Sequence, residues 1–227
     1  MGIEERKERE KEHRKEEILN AAQKVFFDKG LPTATMDEIA EAAELSKGTL
    51  YLYYKSKEDL YLGVMMRGMQ ALFIEYEGLA ASLDSPLRKI IKLSELYIDF
   101  FASNRNFFRM FHFLQMPQFH KQVSEEMQQY CGTETRRLWD LVIGIMKQGM
   151  EAGILRSDLD PTEIGIILWS SSSALMMRGD TEGERWKERF NIDLSHTLEV
   201  SNRLFLNAIL TDKGRKEFAA LEQNNSK

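Results

Sequence analysis

The chain has 227 residues, of which 43% are hydrophobic and 30% charged, and its formal net charge is −5 at pH 7. This much apolar material can build a core, which excludes a fully disordered chain. Only 4 Pro and 14 Gly favour long helices over short strands joined by tight turns. A single cysteine, Cys131, excludes an internal disulfide framework, and the four scattered histidines do not suggest a structural metal. We expect no metal and no cofactor.

Two further classes of protein are disfavoured by the sequence. No apolar run reaches the roughly 18 residues of a membrane span, and the charged N-terminus offers no secretion signal. We therefore expect a cytoplasmic protein with no membrane partner. The net negative charge argues against broad phosphate binding, and neither the first 57 residues nor the remainder is net basic. Any DNA-binding prediction must therefore rest on the local placement of charge.

Residues 4–17 form a charged extension without any apolar residue. One interpretation is a solvated helical overhang held by pairs four residues apart, each worth a few tenths of a kcal/mol. The alternative is a basic arm that reaches DNA. Acidic and basic residues alternate along the sequence rather than forming blocks, which favours the overhang.

Four helices are predicted after this extension. The first has a periodic apolar face and ends where Gly30 and Pro32 interrupt it. The second begins at Thr35, because Thr35 and Glu38 have the spacing of a capping box. Ser46 can cap a short third helix that runs from Lys47 to about Tyr54. A fourth helix begins after Ser56, with Asp59 in its first turn. The apolar face of the first helix consists of Ile18, Ala21, Ala22, Val25 and Phe26.

The second and third predicted helices together suggest a helix-turn-helix. Ala40 is small enough for two helices to cross closely, and Ile39, Ala43, Leu45 and Leu50 can fill the wedge between them. The third helix would expose Lys47, Gly48, Thr49, Tyr51 and Tyr53, which include several hydrogen-bond donors and no acid. Lys47, Lys55 and Lys57 place three cations here, and Gly48 permits close approach of a backbone. The alternative is a three-helix protein-interaction module in which the tyrosines are packing residues.

Residues 14–62 resemble the DNA-binding domain of the TetR/AcrR family of bacterial transcription regulators. The resemblance is carried by a dense, uninterrupted set of positions, namely Arg14, Ile18, Ala21, Ala22, Phe26, Gly30, Thr35, Asp37 to Ala40, Ala43, Leu45 to Tyr51 and Tyr54 to Leu60. It implies that Lys47, Gly48, Thr49, Tyr51 and Tyr53 lie on the recognition helix, that Lys57 contacts a phosphate, and that Thr35 and Ser46 lie near the DNA backbone.

Two positions depart from the family pattern. Glu44 occupies a turn position where glycine is usual, at a cost of about 1 kcal/mol if its backbone is left-handed. Tyr54 replaces the usual phenylalanine, so its hydroxyl needs water or a partner.

The resemblance implies only an architecture for the remaining chain, a helical ligand-binding and dimerisation domain. We predict helices at about 86–103, 107–115, 118–151, 161–178 and 194–211. Breaks are expected at 82–86, at 104–106, at Met116-Pro117 and at Gly153, and residues 180–193 should be irregular apart from one helical turn around Trp186. The helices at 161–178 and 194–211 are apolar on more than one face, which suggests a two-fold four-helix interface between copies. The alternative is a thick monomer core.

The middle of the chain is rich in Met and Phe, which can line an adaptable apolar pocket, although most such residues belong to cores. Arg109 and His112 lie three residues apart and can recognise an anionic head group, or can be satisfied by a surface acid and a backbone carbonyl. The candidate ligand-binding residues are Met65, Met69, Phe73, Phe101, Phe108, Arg109, His112 and Trp139. The effector would be a small hydrophobic molecule.

We therefore predict an all-α protein with a helix-turn-helix domain at 1–61, including a charged extension at 1–13, a ligand-binding and dimerisation domain at 62–211, and a polar tail at 212–227. No nucleophile elbow or zinc-protease motif is present, so no enzyme is expected. The predicted function is a ligand-responsive regulator, a repressor most often in this family, which binds a near-palindromic DNA operator as a homodimer. The alternative is a helical small-molecule-binding or protein-interaction protein that does not bind DNA.

Overall fold

A computed structural model of the chain describes residues 2–114 and 117–225, and within these it contains eleven helices and no strand, which confirms the all-α prediction. The helices are α1 (Ile3–Thr33), α2 (Met36–Ala42), α3 (Lys47–Tyr53), α4 (Lys57–Ala81), α5 (Pro86–Ser103), α6 (Arg105–Leu114), α7 (Pro117–His120), α8 (Glu125–Glu151), α9 (Pro161–Phe190), α10 (Leu194–Ile209) and α11 (Asp212–Asn225). The predicted break at Met116 lies outside the described residues.

The described residues form two compact units. The first combines the described parts of Met1–Ala71 and Asn104–Thr135, and the second combines those of Leu72–Ser103 and Arg136–Lys227. The helix-turn-helix therefore shares a unit with α6 and α7, which the sequence assigns to the C-terminal domain. The division into functional domains at 61/62 stays a prediction.

Local sequence signals explain where several helices begin and turn. The backbone leaves helical geometry at Gly30, where φ is +73°, so the chain turns where the sequence predicts. Pro86 opens α5 and Pro161 opens α9, positions at which a missing amide hydrogen costs nothing. Asp160 caps α9 by accepting hydrogen bonds from the amides of Thr162 and Glu163 at 2.8 and 3.1 Å.

Three predictions for the C-terminal half are wrong. The single helix predicted at 118–151 is divided into α7 and α8, because the chain turns at residues 121–124 and Ser124 starts α8 by accepting from the amide of Met127 at 3.3 Å. The residues at 180–193 are helical as far as Phe190, because Trp186 donates to Glu182 at 3.0 Å and lies 5.7 Å below the guanidinium of Arg178. The predicted polar tail contains α11, whose Phe218 and Leu221 pack on the core of the second unit. A few apolar residues in a polar segment are sufficient to dock a terminal helix.

The core of the second unit is drawn from α4, α5, α8, α9, α10 and the segment after α8. Asn202 crosses this core, donating to Ser94 at 3.1 Å and accepting from the buried Ser172 at 3.0 Å, so its amide is paired on both sides. The buried members include Leu87, Ile90, Ile145, Met146, Ile154, Leu155, Ile164, Ile209 and Leu210.

Candidate nucleic-acid interface

The start of α2 has the reciprocal cap that the sequence predicts. The hydroxyl of Thr35 accepts from the amide of Glu38 at 3.3 Å, and the amide of Thr35 donates to the Glu38 carboxylate at 3.0 Å. Lys29 also reaches that carboxylate at 2.6 Å. The pKa of Glu38 is lowered by Lys29 first and by Thr35 second, so the cap is charged at neutral pH.

The turn between α2 and α3 is tight and well ordered by backbone bonds. Glu44 has φ of +54°, the left-handed conformation expected from its family position. The amide of Leu45 donates to the carbonyl of Ala40 at 2.9 Å. Ala40, Ile39 and Leu50 are buried between the two helices, whereas Ala43 and Leu45, also predicted for this wedge, are half-buried.

Helix α3 begins at a serine cap and exposes most of its remaining residues. Ser46 accepts from the amide of Thr49 at 3.0 Å, and the two hydroxyls lie 2.8 Å apart. Leu50 is fully buried and Tyr54, just after α3, nearly so, which fixes the opposite side of α3 toward solvent. The side that faces solvent is Ser46, Lys47, Gly48, Tyr51 and Leu52, with Thr49 and Tyr53 half-buried.

Gly48 is not required by the packing of the chain itself. A Cβ atom built there would have Ser46 Oγ as its nearest neighbour, at an ordinary contact distance of 3.8 Å. Gly63 is different, because a Cβ there would lie 2.9 Å from the ring of Tyr54. Folding therefore explains Gly63, whereas Gly48 is free to serve an external partner.

The three predicted cations have three different environments. Lys47 Nζ lies 2.9 Å from Asp37, a hydrogen bond that raises the pKa of the lysine. Lys55 is exposed. Lys57 is half-buried and donates to the carbonyls of Leu31 and Ala34 at 2.7 and 2.8 Å, which joins α4 to the chain after the Gly30 turn. An ammonium has three donors, so one N–H of Lys57 is left for a phosphate.

Sequence reasoning missed two residues at this surface. Leu52 is 76% exposed, an unusual position for leucine in a short helix. It lies half a turn from the buried Leu50, so the helical period alone could have placed it on the solvent side. Asp37 was recognised only as part of a motif, and its pairing with Lys47 ten residues later has no local signal.

The first half of α4 is held by several partners within the first unit. Asp59 is buried and accepts from the amide of Ser124 at 2.8 Å, and the hydroxyl of Tyr61 donates to the carbonyl of Met110 at 3.2 Å. The guanidinium of Arg67 donates to the carbonyl of Leu19 in α1 at 3.3 Å. The helix that begins beside α3 is thereby fixed to both α1 and the segment that follows α5.

The candidate effector residues are divided between the units. Met65, Met69 and Phe108 are buried in the first unit, where Arg109 is exposed. The side chain of His112 lies outside the described residues. Phe73 and Phe101 are buried in the second unit, where Trp139 is half-buried and packs edge-on against Trp169 with ring centroids 6.1 Å apart.

Helices α9 and α10 leave a line of large apolar side chains uncovered in the described chain. Ile164 is buried in the core of the second unit and Leu198 is also buried, whereas several large apolar side chains on other faces of the two helices are exposed. The exposed members are Ile166, Ile167, Trp169, Val200 and Leu204.

Among residues 2–114 and 117–225, no three His, Cys, Asp or Glu side chains converge on a metal-sized space. None of the helices that the structure describes has the length and hydropathy of a bilayer span.

The fold and the capped α2–α3 pair define a helical protein with a helix-turn-helix. A family model described as bacterial regulatory proteins, tetR family, matches residues 18–64. The chain is 31% identical over 155 residues to the HTH-type transcriptional repressor KstR2 of Rhodococcus jostii (strain RHA1), covering 66% of this chain and 72% of that protein. The KstR2 of Mycolicibacterium smegmatis is 29% identical over 152 residues, covering 65% and 70%.

Solved structures agree on the fold. The transcriptional regulator FadR from Bacillus subtilis, in complex with stearoyl-CoA, superposes with a TM-score of 0.67 at 18% identity, over 85% of this chain and 98% of that one. The fatty acid degradation regulator FadR from Bacillus halodurans gives 0.64 at 18% identity, over 85% and 94%. The chain belongs to the TetR family of bacterial regulatory proteins, which are DNA-binding regulators of transcription and not enzymes.

Proposed function

We propose that this protein represses transcription by binding a near-palindromic DNA operator as a dimer. The observation that carries the proposal is the solvent-facing side of α3, where Lys47, Gly48, Thr49 and Tyr51 adjoin one another on a helix fixed at its start by Ser46. A helix presented in this way can enter the major groove with its first turns against base edges. The repressor assignment is supported by the KstR2 relatives, which are transcriptional repressors. Such a protein acts where the chromosome lies, in the cytoplasm.

Selection from random duplex DNA tests the DNA-binding proposal. We expect the full chain to enrich one near-palindrome with half-sites about 34–36 Å apart or a multiple of that distance. Replacing Thr49 by Ala or Lys47 by Ala should change the enriched sequence, whereas Lys55→Ala should lower affinity for all sequences alike. Enrichment of no sequence, with or without added acyl-CoA, would contradict the proposal.

The dimer is supported by the uncovered apolar line on α9 and α10. Ile166, Trp169 and Leu204 are between 42% and 67% exposed, although each is a residue that proteins usually bury. Pairing two copies through these helices would form a four-helix interface and cover the apolar side chains of both. It would also bring two copies of α3 into one assembly.

The effector we propose is an apolar molecule with an anionic head, of the acyl-CoA class. The buried Met65, Met69 and Phe108 supply adaptable apolar surface in the same unit as Arg109, whose cation can meet the head group. The stearoyl-CoA complex of the FadR fold relative supports this class. Binding would act on α4, because Met65 and Met69 lie on the same helix as Lys57, and Tyr61 and Asp59 already tie that helix to the segment after α5.

Reciprocal titration tests the effector proposal. Stearoyl-CoA would be titrated with and without the selected operator, and free CoA serves as the control for the head group alone. If stearoyl-CoA weakens operator binding tenfold, a coupling of about 1.4 kcal/mol, operator must weaken stearoyl-CoA binding tenfold. Equal affinities in the two titrations would contradict induction by this compound.

A further inference from the structure

The charged extension of α1 is two-sided once it is folded. Along the sequence its acids and bases alternate, but each of five glutamates lies three or four residues from another of the five, and they therefore share one side of the helix. Arg67 of α4 lies 3.2 Å from the last of them, Glu16, which fixes the direction of the acidic side. These glutamates are Glu4, Glu5, Glu8, Glu12 and Glu16.

The other side of the extension opens into a groove shared with the recognition helix. The groove has a volume of about 660 Å³. Tyr53 of α3 lines one wall of this groove. The α1 residues that line it are Arg6, Lys7, Arg9, Glu10, Lys11, His13 and Arg14. Five Lys or Arg side chains therefore face this groove, against one glutamate among the described lining residues.

Partners within α1 remove only part of this positive charge. Arg6 pairs with Glu10 at 3.0 Å and Arg14 with Glu17 at 2.8 Å, both as exposed pairs one helical turn apart. Exposed pairs of this kind are worth little and exchange readily with other anions. Lys7 and Lys11 are exposed and lie one turn apart on the same side of the helix.

We propose that this basic side of α1 binds the sugar–phosphate backbone of the operator, next to the bases read by α3. The inference rests on the proposed DNA binding and adds a second contact surface to it. Residues 6–14 span about 12 Å of helix, which matches on the order of three phosphates along one strand. Because Lys and Arg contacts to phosphate carry no base information, this surface supplies affinity and register, not sequence preference. The acidic side repels polyanions, so the extension can bind DNA only through its basic side.

Paired charge variants test the proposal on the full chain. The double variant Lys7→Gln with Lys11→Gln removes two cations from the basic side, and Glu4→Gln with Glu8→Gln removes two acids from the other side as the matched control. Affinity would be measured between about 50 and 200 mM salt on the selected operator and on a random-sequence duplex. The lysine variant should lower the salt slope by about 0.9 per lost phosphate contact, close to 2 per chain, on both duplexes. Its selected sequence should be that of the wild type, and the control should keep the wild-type slope.

The outcomes separate this inference from the proposed function. A salt slope in the lysine variant equal to that of the wild type would overturn phosphate binding by the basic side. An equal and opposite change of slope in the glutamate control would also overturn it, because the effect would then come from net charge alone. A changed selected sequence would also overturn it. Failure of the wild type to select any sequence would instead overturn the proposed operator binding, while the random duplex would still report on the basic side.

Discussion

Lys47 Nζ lies 2.9 Å from Asp37 Oδ2, so the first cation of the recognition helix is paired with a carboxylate of the preceding helix. Both side chains are at least half exposed. DNA phosphates would compete with Asp37 for the ammonium, and the carboxylate would repel them. Asp37 therefore lowers affinity for any duplex whose base contacts do not compensate for breaking the Lys47–Asp37 ion pair.

Replacing Asp37 by Asn should raise affinity for random-sequence DNA by a factor of about two to five, the range for an exposed ion pair. Affinity for the selected operator should rise less, so the specificity ratio falls. Titration of both duplexes by fluorescence anisotropy checks this, with Glu75→Gln as the control for net charge. A uniform rise on both duplexes, equal to that of the control, would contradict a specific role for Asp37.

Alanine variants of Lys57 and Lys55 should distinguish an effect on protein stability from an effect on DNA binding alone. Lys57→Ala leaves the carbonyls of Leu31 and Ala34 without their donor, so we expect a loss of about 1–2 kcal/mol in unfolding free energy as well as weaker DNA binding. Lys55→Ala should leave stability within about 0.5 kcal/mol and reduce only the salt slope. Urea denaturation of the two variants measures their free energies of unfolding. Equal values for the two variants would argue against the Lys57 contacts with the carbonyls.

Two glycines of α4 provide a matched test of packing. A Cβ at Gly68 would clash with the ring of Phe107, whereas a Cβ at Gly78 would meet nothing within 4 Å. We expect Gly68→Ala to destabilise the protein by about 1–3 kcal/mol through overpacking. Gly78→Ala should stabilise it by up to about 1 kcal/mol, because alanine is the better helix former. Thermal unfolding of the two variants checks this. Tm shifts of the same sign for Gly68→Ala and Gly78→Ala would contradict the close contact between Gly68 and Phe107.

The dimer surface can be tested with charge placed on α9 and α10. Ile166→Glu and Leu204→Glu each put a carboxylate where the partner helix is expected, and both should give monomers by sedimentation velocity. Leu83→Glu is the control, because Leu83 is fully exposed outside these helices. Leu168 and Phe205 are poorer sites, since both pack partly on the core of their own unit. Dimers that persist in both variants would contradict this interface.

The helix-turn-helix could be predicted because short-range chemistry determines it. The Thr35 and Ser46 caps act within three residues, and Glu44 adopts its left-handed turn beside a small Ala40. The two caps are visible in the sequence and have the geometry that it predicts, whereas the left-handed Glu44 is expected only from its position in the family pattern. Contacts between distant segments, such as Ser124 with Asp59, leave no such signal.

The failures also have physical causes. The polar stretch before Phe190 is helical through contacts one or two turns apart, and α11 forms because Phe218 and Leu221 find a core that the sequence does not reveal. Acidic and basic residues of the extension are mixed along the sequence, and they lie on different sides only when the segment is helical. The effector residues remain predictions, because a buried Met or Phe looks the same in a core and in a binding site.

The ratio of two dissociation constants tests the central claim most directly. The wild-type chain would be titrated, at physiological salt, with the duplex it selects and with a scrambled duplex of the same length and composition. Sequence-specific operator binding through α3 predicts a ratio of at least about 10³. Thr49→Ala should reduce that ratio without changing affinity for the scrambled duplex. A wild-type ratio near one would contradict operator recognition by this protein.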